Sequence, residues 1–130
     1  MADYRDNYDK IRAAGAELVA ISADPPEQSE ILRKQLALPF PILCDTERRL
    51  IREWDIYNPR ERGGIAKPAI FVIGADRRIR CVIVGSISAR VPALEIVHVL
   101  ESSKVSSVRR KRYIPRFGDW IRAFLNTLRR

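Results

Sequence analysis

The chain has 130 residues, the length of a single domain, and 46% of them are hydrophobic, which is ordinary for a globular protein. Its apolar runs are far shorter than the roughly 20 residues that a membrane-spanning helix requires, and the charged N-terminus predicts no secretory signal. Two cysteines, Cys44 and Cys81, form no CxxC motif and no disulfide framework, so a reducing, cytoplasmic setting is expected.

The net charge of +8 is unevenly distributed along the chain. Residues 1–103 contain 15 basic and 15 acidic residues, whereas residues 104–130 contain nine basic residues and one acidic residue, Asp119. Any attraction to an anionic partner is therefore predicted to come from the C-terminal segment.

The N-terminal half alternates helices with short apolar runs. A first helix is predicted to end at Gly15, and residues 17–22 (ELVAIS) predict a strand covered on both faces. Asp24 precedes two prolines and Glu27, which predicts that Asp24 caps the next helix and that Glu27 closes a capping box. That helix is expected to contain Ile31, Leu32 and Leu36.

The pattern continues with a second strand at residues 40–44 (FPILC), after which Asp45 is expected to cap a third helix. Residues 58–64 (NPRERGG) are polar and rich in turn formers, which predicts a loop. Three further elements follow; they are a strand at 69–73, a hairpin strand at 79–84 after a tight turn at 75–78, and a helix over 92–100. Alternating β and α units predict an α/β fold whose partly parallel sheet is covered by helices.

Four segments, in this order and spacing, resemble the peroxiredoxin-type redoxins of the alkyl hydroperoxide reductase/thiol-specific antioxidant family. They are GAELVAISAD (15–24), LPFPILCD (38–45), ERRLIREWDI (47–56) and GIAKPAIFVIGADRRIR (64–80). The resemblance implies a thioredoxin-like sheet. It also implies thiol-dependent peroxide reduction or thiol–disulfide exchange, with a thiol reductant such as thioredoxin as partner.

The sequence departs from the family at its front. Family members carry the peroxidatic cysteine on a strand–loop–helix segment before the first matching strand, and here about fourteen residues without a cysteine precede it. The resemblance therefore implies an N-terminally incomplete domain that lacks the middle strand, which would leave two strand edges unpaired. Three explanations are open: a truncated gene product, a strand-donating partner or homodimer, or strands that close up on one another.

A second departure lies at Pro68. The family usually has an arginine here to support the thiolate and the peroxide, whereas thioredoxin-like proteins have a cis-proline beside the active cysteine. By resemblance, Pro68 is expected to be such a cis-proline. Its neighbour Lys67 would supply positive charge, but a lysine ammonium is a point charge and cannot form the two parallel hydrogen bonds of an arginine guanidinium.

Cys44 is the candidate nucleophile, because it ends a strand immediately before a predicted helix N-terminus that would favour a thiolate. The adjacent Asp45 carboxylate opposes this effect, and Phe40 and Ile42 on the same strand face suggest burial. A structural role for Cys44 is therefore the competing interpretation. Cys81 alternates with Ile79 and Ile83 and is expected to be a buried structural thiol, with no disulfide to Cys44.

The remaining polar residues predict no cofactor and no metal site. His98 is the only histidine, and a lone histidine without other ligands is expected to face solvent or to be structural. Gly63 and Gly64 lack the strand-to-helix setting of a phosphate-binding loop. Ser22 and Asp24 end the first strand, near the family's site.

The last 27 residues form a separate predicted region. Residues 1–103 are expected to be the truncated redoxin domain, and residues 104–130 a basic linker followed by an amphipathic helix. The apolar residues Trp120, Ile121, Phe124, Leu125 and Leu128 share one face of that helix. Three roles are open for it: docking onto the domain, contact with an anionic membrane, or nonspecific nucleic-acid binding. The sequence thus predicts a peroxiredoxin-like antioxidant of impaired activity or, alternatively, a non-catalytic interaction domain.

Overall fold

A computed structural model of the protein describes residues 1–60, 64–85, 90–102 and 109–112. These residues form five helices and seven strands. The helices are α1 (Ala2–Asp6), α2 (Tyr8–Ala13), α3 (Pro26–Gln35), α4 (Arg49–Glu53) and α5 (Ala93–Ser102). The strands are β1 (Ala20–Ser22), β2 (Ile42–Cys44), β3 (Tyr57–Asn58), β4 (Ile65–Ala66), β5 (Ala69–Ile73), β6 (Ile79–Val84) and β7 (Arg109–Arg112).

The chain divides into two units, and the first is built from two separate stretches of sequence. It comprises Met1–Ala66 together with Pro92–Lys104, and the second unit comprises Lys67–Val91 together with Val105–Arg130. The first unit thus contains all five helices and the short strands β1 to β4, and the second contains β5, β6 and β7.

In the first unit, β1 and β2 pair in parallel, and α3 provides the crossover between them. Ala20 lies beside Ile42, Ile21 beside Leu43, and Ser22 beside Cys44. Parallel neighbours need a connection of this length, because the chain must return to the same end of the sheet. The carboxyl ends of both strands therefore lie at one edge.

The core of the first unit consists of apolar side chains from its helices and from the segments before β2 and β3; they include Ile11, Leu38, Phe40, Ile51, Ile56, Ala93, Ile96 and Val97. Burial of a side chain of this size stabilises the folded state by about 1.5–3 kcal/mol. The ring of Phe40 also lies 5.8 Å from that of Tyr8 between centroids, so the residues before β2 contact α2.

A contact across 90 positions of sequence ties the start of the chain to α5. The main-chain N–H of Ala93 donates a 2.7 Å hydrogen bond to Oδ2 of Asp3. The first amides of a helix have no partner within the helix, so this carboxylate acts as a cap supplied from another element.

The second unit is built on an antiparallel hairpin. Strand β5 pairs with β6 from Ala69 opposite Val84 to Ile73 opposite Ile79, with a register irregularity at Val72 and Ile73. Side chains alternate along β6, and Cys81 and Ile83 are both buried, as predicted. The N–H of Arg78 donates to Oδ1 of Asp76 in the connecting turn.

One prediction about local structure is wrong, and two segments contain strands that were not predicted. Strand β1 is not covered on both faces, because Val19 and Ile21 remain substantially exposed. Residues 57–58 and 65–66 form a short antiparallel ladder that flanks the segment predicted to be a loop. Within the basic C-terminal segment, Arg109–Arg112 form β7, which pairs in parallel with β6. Charged residues have a low preference for strands, and hydrogen bonding to the backbone of β6 stabilises β7 despite this low preference.

The amphipathic helix predicted over residues 117–130 lies outside the described residues, and the predicted division at residue 103 stays a prediction.

Position 64 requires glycine for two reasons, its backbone conformation and the close approach of the Tyr57 ring. Its φ is +102°, and a Cβ atom added there would collide with the Tyr57 ring. Gly15 also has a positive φ, +85°, but nothing lies within 4 Å of an added Cβ. Gly15→Ala is therefore a matched control that adds only backbone strain.

We expect Gly15→Ala to lower the free energy of unfolding by about 1–2 kcal/mol, the cost of a left-handed conformation for an L-residue. Gly64→Ala should lower it by about 1–3 kcal/mol more, because the Tyr57 ring must move. Urea denaturation of both variants measures the difference. Equal losses would contradict the importance of the Tyr57 contact.

Candidate functional site

The carboxyl ends of β1 and β2 bring a serine and a cysteine together. Ser22 and Cys44 are register partners on adjacent parallel strands, so their side chains lie on the same face. Cys44 is half-buried and therefore partly accessible from solvent. In open α/β sheets, ligands commonly bind just beyond the carboxyl ends of parallel strands, which makes this edge the candidate site.

Asp24 belongs to this edge rather than to the helix that follows it. The hydroxyl of Ser22 donates a 2.7 Å hydrogen bond to Oδ2 of Asp24, and the Asp24 N–H donates to the Ser22 hydroxyl oxygen at 3.1 Å. Helix α3 begins after Pro25 without a side-chain cap, so the predicted Asp24 cap and Glu27 capping box are wrong. The Ser22 hydroxyl binds the Asp24 carboxylate instead of the amides of α3. This local Ser–Asp turn forms without any change in the backbone that leads into the helix.

Asp45 anchors α4 to the end of β2, as predicted. Its Oδ1 accepts from the Arg49 N–H at 2.9 Å, and its Oδ2 accepts from the Ile51 N–H at 3.0 Å. Desolvation is the largest single influence on this carboxyl group and acts to raise its pKa. The hydrogen bonds from the backbone of Ile51, Leu50 and Arg49 together outweigh it, so the pKa of Asp45 is lowered.

This capping limits what α4 can do for Cys44. The helix has five residues, and two of its early amides already point at the Asp45 carboxylate. Those donors are therefore committed to Asp45 and do not serve a Cys44 thiolate. The Asp45 N–H is also occupied, because it donates to the Ser22 carbonyl at 2.7 Å.

Lys67 and Pro68 belong to the second unit, whereas Cys44 belongs to the first. Lys67 is exposed, and the Pro68 carbonyl accepts a 2.7 Å hydrogen bond from the Gly85 N–H, which continues the β5–β6 ladder. The peptide bond before Pro68 is trans, so the cis-proline prediction is wrong. Trans is the lower-energy form of most X–Pro bonds. The roles of Lys67 and Pro68 beside a reactive thiol stay predictions.

The other singled-out residues belong to other elements. Cys81 is on β6 in the second unit and is only 5% exposed, and it is not joined to Cys44 by a disulfide. His98 is exposed on α5, where Nδ1 lies 3.9 Å from a Glu101 carboxylate oxygen. Within the parts of the chain that the structure describes, no group of three or more His, Cys, Asp or Glu residues could hold a metal ion. No helix among the described residues is long and apolar enough to span a bilayer.

Sequence reasoning placed Cys44 and Asp45 correctly at the end of β2 but misassigned Asp24. The signal for the correct assignment was a serine two residues before the aspartate at the end of a strand, a spacing that favours a local hydrogen-bonded turn. Arg48 was missed altogether. Its φ is +56°, and its Nε donates to the Gly64 carbonyl at 2.7 Å, which joins the start of α4 to β4.

Comparison with known proteins identifies relatives of one kind. The family model described as "AhpC/TSA family" matches residues 1–82. The chain is 40% identical over 53 residues to the chloroplastic peroxiredoxin Q of Populus jackii, which covers 41% of this chain and 25% of that protein. It is 32% identical over 81 residues to a peroxiredoxin homologue of Mycobacterium tuberculosis, which covers 59% of this chain and 52% of the homologue. The chain thus spans about a quarter to about half of these relatives.

Solved structures show the same fold. The AhpC of Enterococcus faecalis superposes with a TM-score of 0.71 at 20% identity, covering 79% of this chain and 63% of that one. The reduced Prx3 of Vibrio vulnificus, solved with hydrogen peroxide, gives 0.72 at 14% identity over 80% of this chain and 68% of that one. The predicted thioredoxin-like α/β fold is confirmed.

The Asp45 cap predicts an acid-dependent loss of stability. Because the folded-state pKa of Asp45 is lowered, its charged form stabilises the fold above its unfolded-state pKa of about 3.9, and that stabilisation is lost as the pH falls through the folded value. We expect Asp45→Asn to lower the free energy of unfolding at pH 7 by up to about 1 kcal/mol, because the amide keeps one acceptor oxygen but loses the charge that a helix N-terminus favours. The deficit should shrink below about pH 4, as the wild-type carboxyl group becomes protonated.

Chemical denaturation at a series of pH values measures this dependence. Glu47→Gln is the matched control, because it removes one exposed carboxylate two positions away. A deficit that stays constant with pH, or one equal to that of the Glu47 variant, would contradict the assigned role of the Asp45 charge.

Proposed function

The chain belongs to the AhpC/TSA family, and we propose that it is a peroxiredoxin-like antioxidant module in which any thiol chemistry proceeds through Cys44. One observation carries the proposal. Of the two thiols in this polypeptide, only Cys44 is partly exposed, and it lies at the carboxyl ends of the parallel strands β1 and β2.

The proposed reaction uses the Cys44 sulfur as nucleophile. The thiolate attacks one oxygen of a hydroperoxide, an S–O bond forms, the O–O bond breaks, and the other oxygen leaves as an alcohol or water after taking up a proton. The cysteine is thereby oxidised to a sulfenic acid. An external thiol then condenses with the sulfenic acid to give a mixed disulfide and water, and a second thiol releases Cys44 by thiol–disulfide exchange.

We propose that this reaction is slow in the 130-residue polypeptide. A reactive cysteine needs positive charge or free amides to support its thiolate. The neighbouring charge here is the Asp45 carboxylate, and this carboxylate accepts the early amides of α4. The roles of Lys67 and Pro68 in this reaction stay predictions, since both residues belong to the second unit.

The proposed reductant is a small thiol or a thioredoxin-type dithiol protein. The proposed setting is a reducing compartment such as the cytoplasm, because Cys44 and Cys81 are not paired with each other. A homodimer or a strand-donating partner remains part of the proposal.

A second candidate function rests on β7. Four consecutive cationic residues, Arg109–Arg112, form the outermost strand of the β5–β6–β7 sheet. A strand fixes the spacing of its residues along a line, which favours contact with a row of negative charges. The alternative proposal is therefore a non-catalytic interaction module that binds an anionic surface, either a membrane or a nucleic acid, through its basic C-terminal region.

The catalytic proposal predicts slow peroxide consumption that depends on Cys44. With dithiothreitol in excess, the full chain should consume hydrogen peroxide, and Cys44→Ser should abolish the activity. Asp45→Asn should raise the rate by up to about tenfold, because it removes an adjacent negative charge and releases helix amides that can support a thiolate. Cys81→Ala should leave the rate unchanged, since the Cys81 thiol is buried.

Alkylation of the native protein provides the second measurement. Cys44 should react with iodoacetamide at least about tenfold faster than Cys81, because buried groups react only through local opening. No peroxide consumption, together with a Cys44 that resists alkylation in the native state, would overturn the catalytic proposal.

The alternative proposal predicts salt-dependent binding that requires β7. Replacing Arg109–Arg112 with four glutamines should weaken binding of the full chain to a DNA duplex, or to vesicles containing phosphatidylserine. On DNA it should reduce the slope of log K against log salt by up to about 4. Vesicles of phosphatidylcholine alone are the control. Binding that is unchanged by the glutamine variant would contradict this role for β7.

A further inference from the structure

The two units of the chain carry very different charges. By sequence, the second unit contains 13 basic and two acidic residues, whereas the first contains 11 basic and 14 acidic residues. The positive excess is therefore not confined to the C-terminal segment, because Lys67–Val91 contributes five basic residues and only one acidic residue, Asp76. Such an excess repels itself within one unit, and an anionic partner would relieve that repulsion.

Two of these cations lie in the turn that joins β5 to β6. Arg77 and Arg78 are both exposed, and neither forms an ion pair among the described residues. Asp76 is the only acidic residue in the described part of this unit, and its Oδ2 accepts a 2.7 Å hydrogen bond from Nη2 of Arg80. The charge of Asp76 is thus matched by Arg80, and the charges of Arg77 and Arg78 remain uncompensated.

Arg77 adopts a backbone conformation that does not suit its residue type. Its φ is +61°, in the left-handed region that glycine enters without strain, and its N–H closes the turn by donating to the Gly74 carbonyl at 2.9 Å. Residues held in this way cluster at functional sites. At this position the chain gains an exposed positive charge at a cost in backbone strain.

The strand register brings this turn and β7 to the same end of the sheet. Strand β6 begins at Ile79, directly after the turn, and β7 runs parallel to it with Arg109 beside Cys81. Arg78 precedes Cys81 by three residues, which is about 10 Å along a strand, and β7 continues for about 10 Å more to Arg112. Cations therefore follow one line of about 20 Å, from the turn along β7.

We propose that the turn cations Arg77 and Arg78 and the strand β7 form one binding surface for the phosphate backbone of a DNA duplex. This inference rests on the alternative function proposed above, in which β7 binds an anionic surface, and it adds the turn and one class of partner. Binding is expected to be independent of base sequence, because contacts to phosphates carry no sequence information directly.

The linear density of charge favours a nucleic acid over a membrane. Along β7 one cation occurs per residue, or about every 3.3 Å, and one strand of a DNA duplex carries a phosphate about every 3.4 Å of its axis. Arginine, which provides five of these six cations, forms bidentate hydrogen bonds with phosphate oxygens.

The turn also lacks the apolar side chains that insert into a bilayer. Peripheral binding to a membrane usually combines cations with a buried apolar face. The exposed turn residues, 75–78, include no large apolar side chain, and Ile73 is the nearest exposed one. A single isoleucine does not form an apolar face.

Fluorescence anisotropy of a labelled DNA duplex of about 20 base pairs, titrated with the full chain between about 50 and 200 mM salt, tests the proposal. Arg77→Gly and Arg78→Gln should each weaken binding by about three- to tenfold near 0.1 M salt and reduce the slope of log K against log salt by about 1. Because glycine suits a positive φ, the urea midpoint of Arg77→Gly should not fall. A second duplex of unrelated sequence should bind equally well.

Arg12→Gln is the matched control. It removes one positive charge from the first unit, where Nη2 of Arg12 is paired with Glu17 at 3.1 Å, and it should leave DNA binding unchanged. Equal weakening by Arg12→Gln would show that only the net charge matters and would overturn the proposal.

Two further outcomes separate this inference from the function on which it rests. If the glutamine variant of β7 weakens DNA binding but Arg77→Gly and Arg78→Gln do not, the inference fails while the role of β7 stands. Binding to phosphatidylserine vesicles without binding to DNA would likewise overturn the inference alone. A chain that binds neither DNA nor these vesicles would overturn both.

Discussion

The parallel pairing of β1 with β2 is the constraint from which the candidate site follows. It places the ends of both strands at one edge, and Ser22, Cys44 and the two residues that bond beside them, Asp24 and Asp45, meet there. The crossover helix α3 is a consequence of the same pairing, since parallel neighbours cannot be joined by a tight turn. If the strands were antiparallel, Ser22 and Cys44 would lie at opposite ends of the ladder and no site would form.

At this edge, one carboxylate serves two opposing purposes. Asp45 stabilises the junction between β2 and α4 by accepting main-chain hydrogen bonds, and it thereby occupies donors that a cysteine thiolate one residue earlier would need. Local stability and thiol reactivity are therefore in competition at adjacent positions. The half-buried Cys44 thiol is thus adjacent to a carboxylate that already accepts the early amides of α4.

Much of the fold could be predicted from the sequence, because the relevant signals are local. Three features depend on residues only a few positions apart: the strand predicted at 17–22, the hairpin around Asp76 and the Asp45 cap. They lie where the pattern placed them, although β1 is shorter than the predicted strand. The Asp24 assignment was wrong because its carboxylate can bind either the Ser22 hydroxyl or the first amides of α3. The local sequence does not show which of these two arrangements is more stable. Strand β7 was not predicted because its stability comes from a neighbour, β6, that lies 25 residues or more earlier. The exposure of Ile21 was likewise hidden, because an apolar run indicates a strand without saying whether anything covers it.

The hydrogen bond from Ala93 to Asp3 has a consequence for how the chain acquires its structure during synthesis. The first unit is discontinuous, and its final helix emerges from the ribosome after the β5–β6 hairpin. The hairpin can close by itself, since its partners are near neighbours in sequence, whereas Oδ2 of Asp3 finds the Ala93 N–H only once α5 has emerged. The N-terminal helices therefore complete their packing late, after most of the chain has been made.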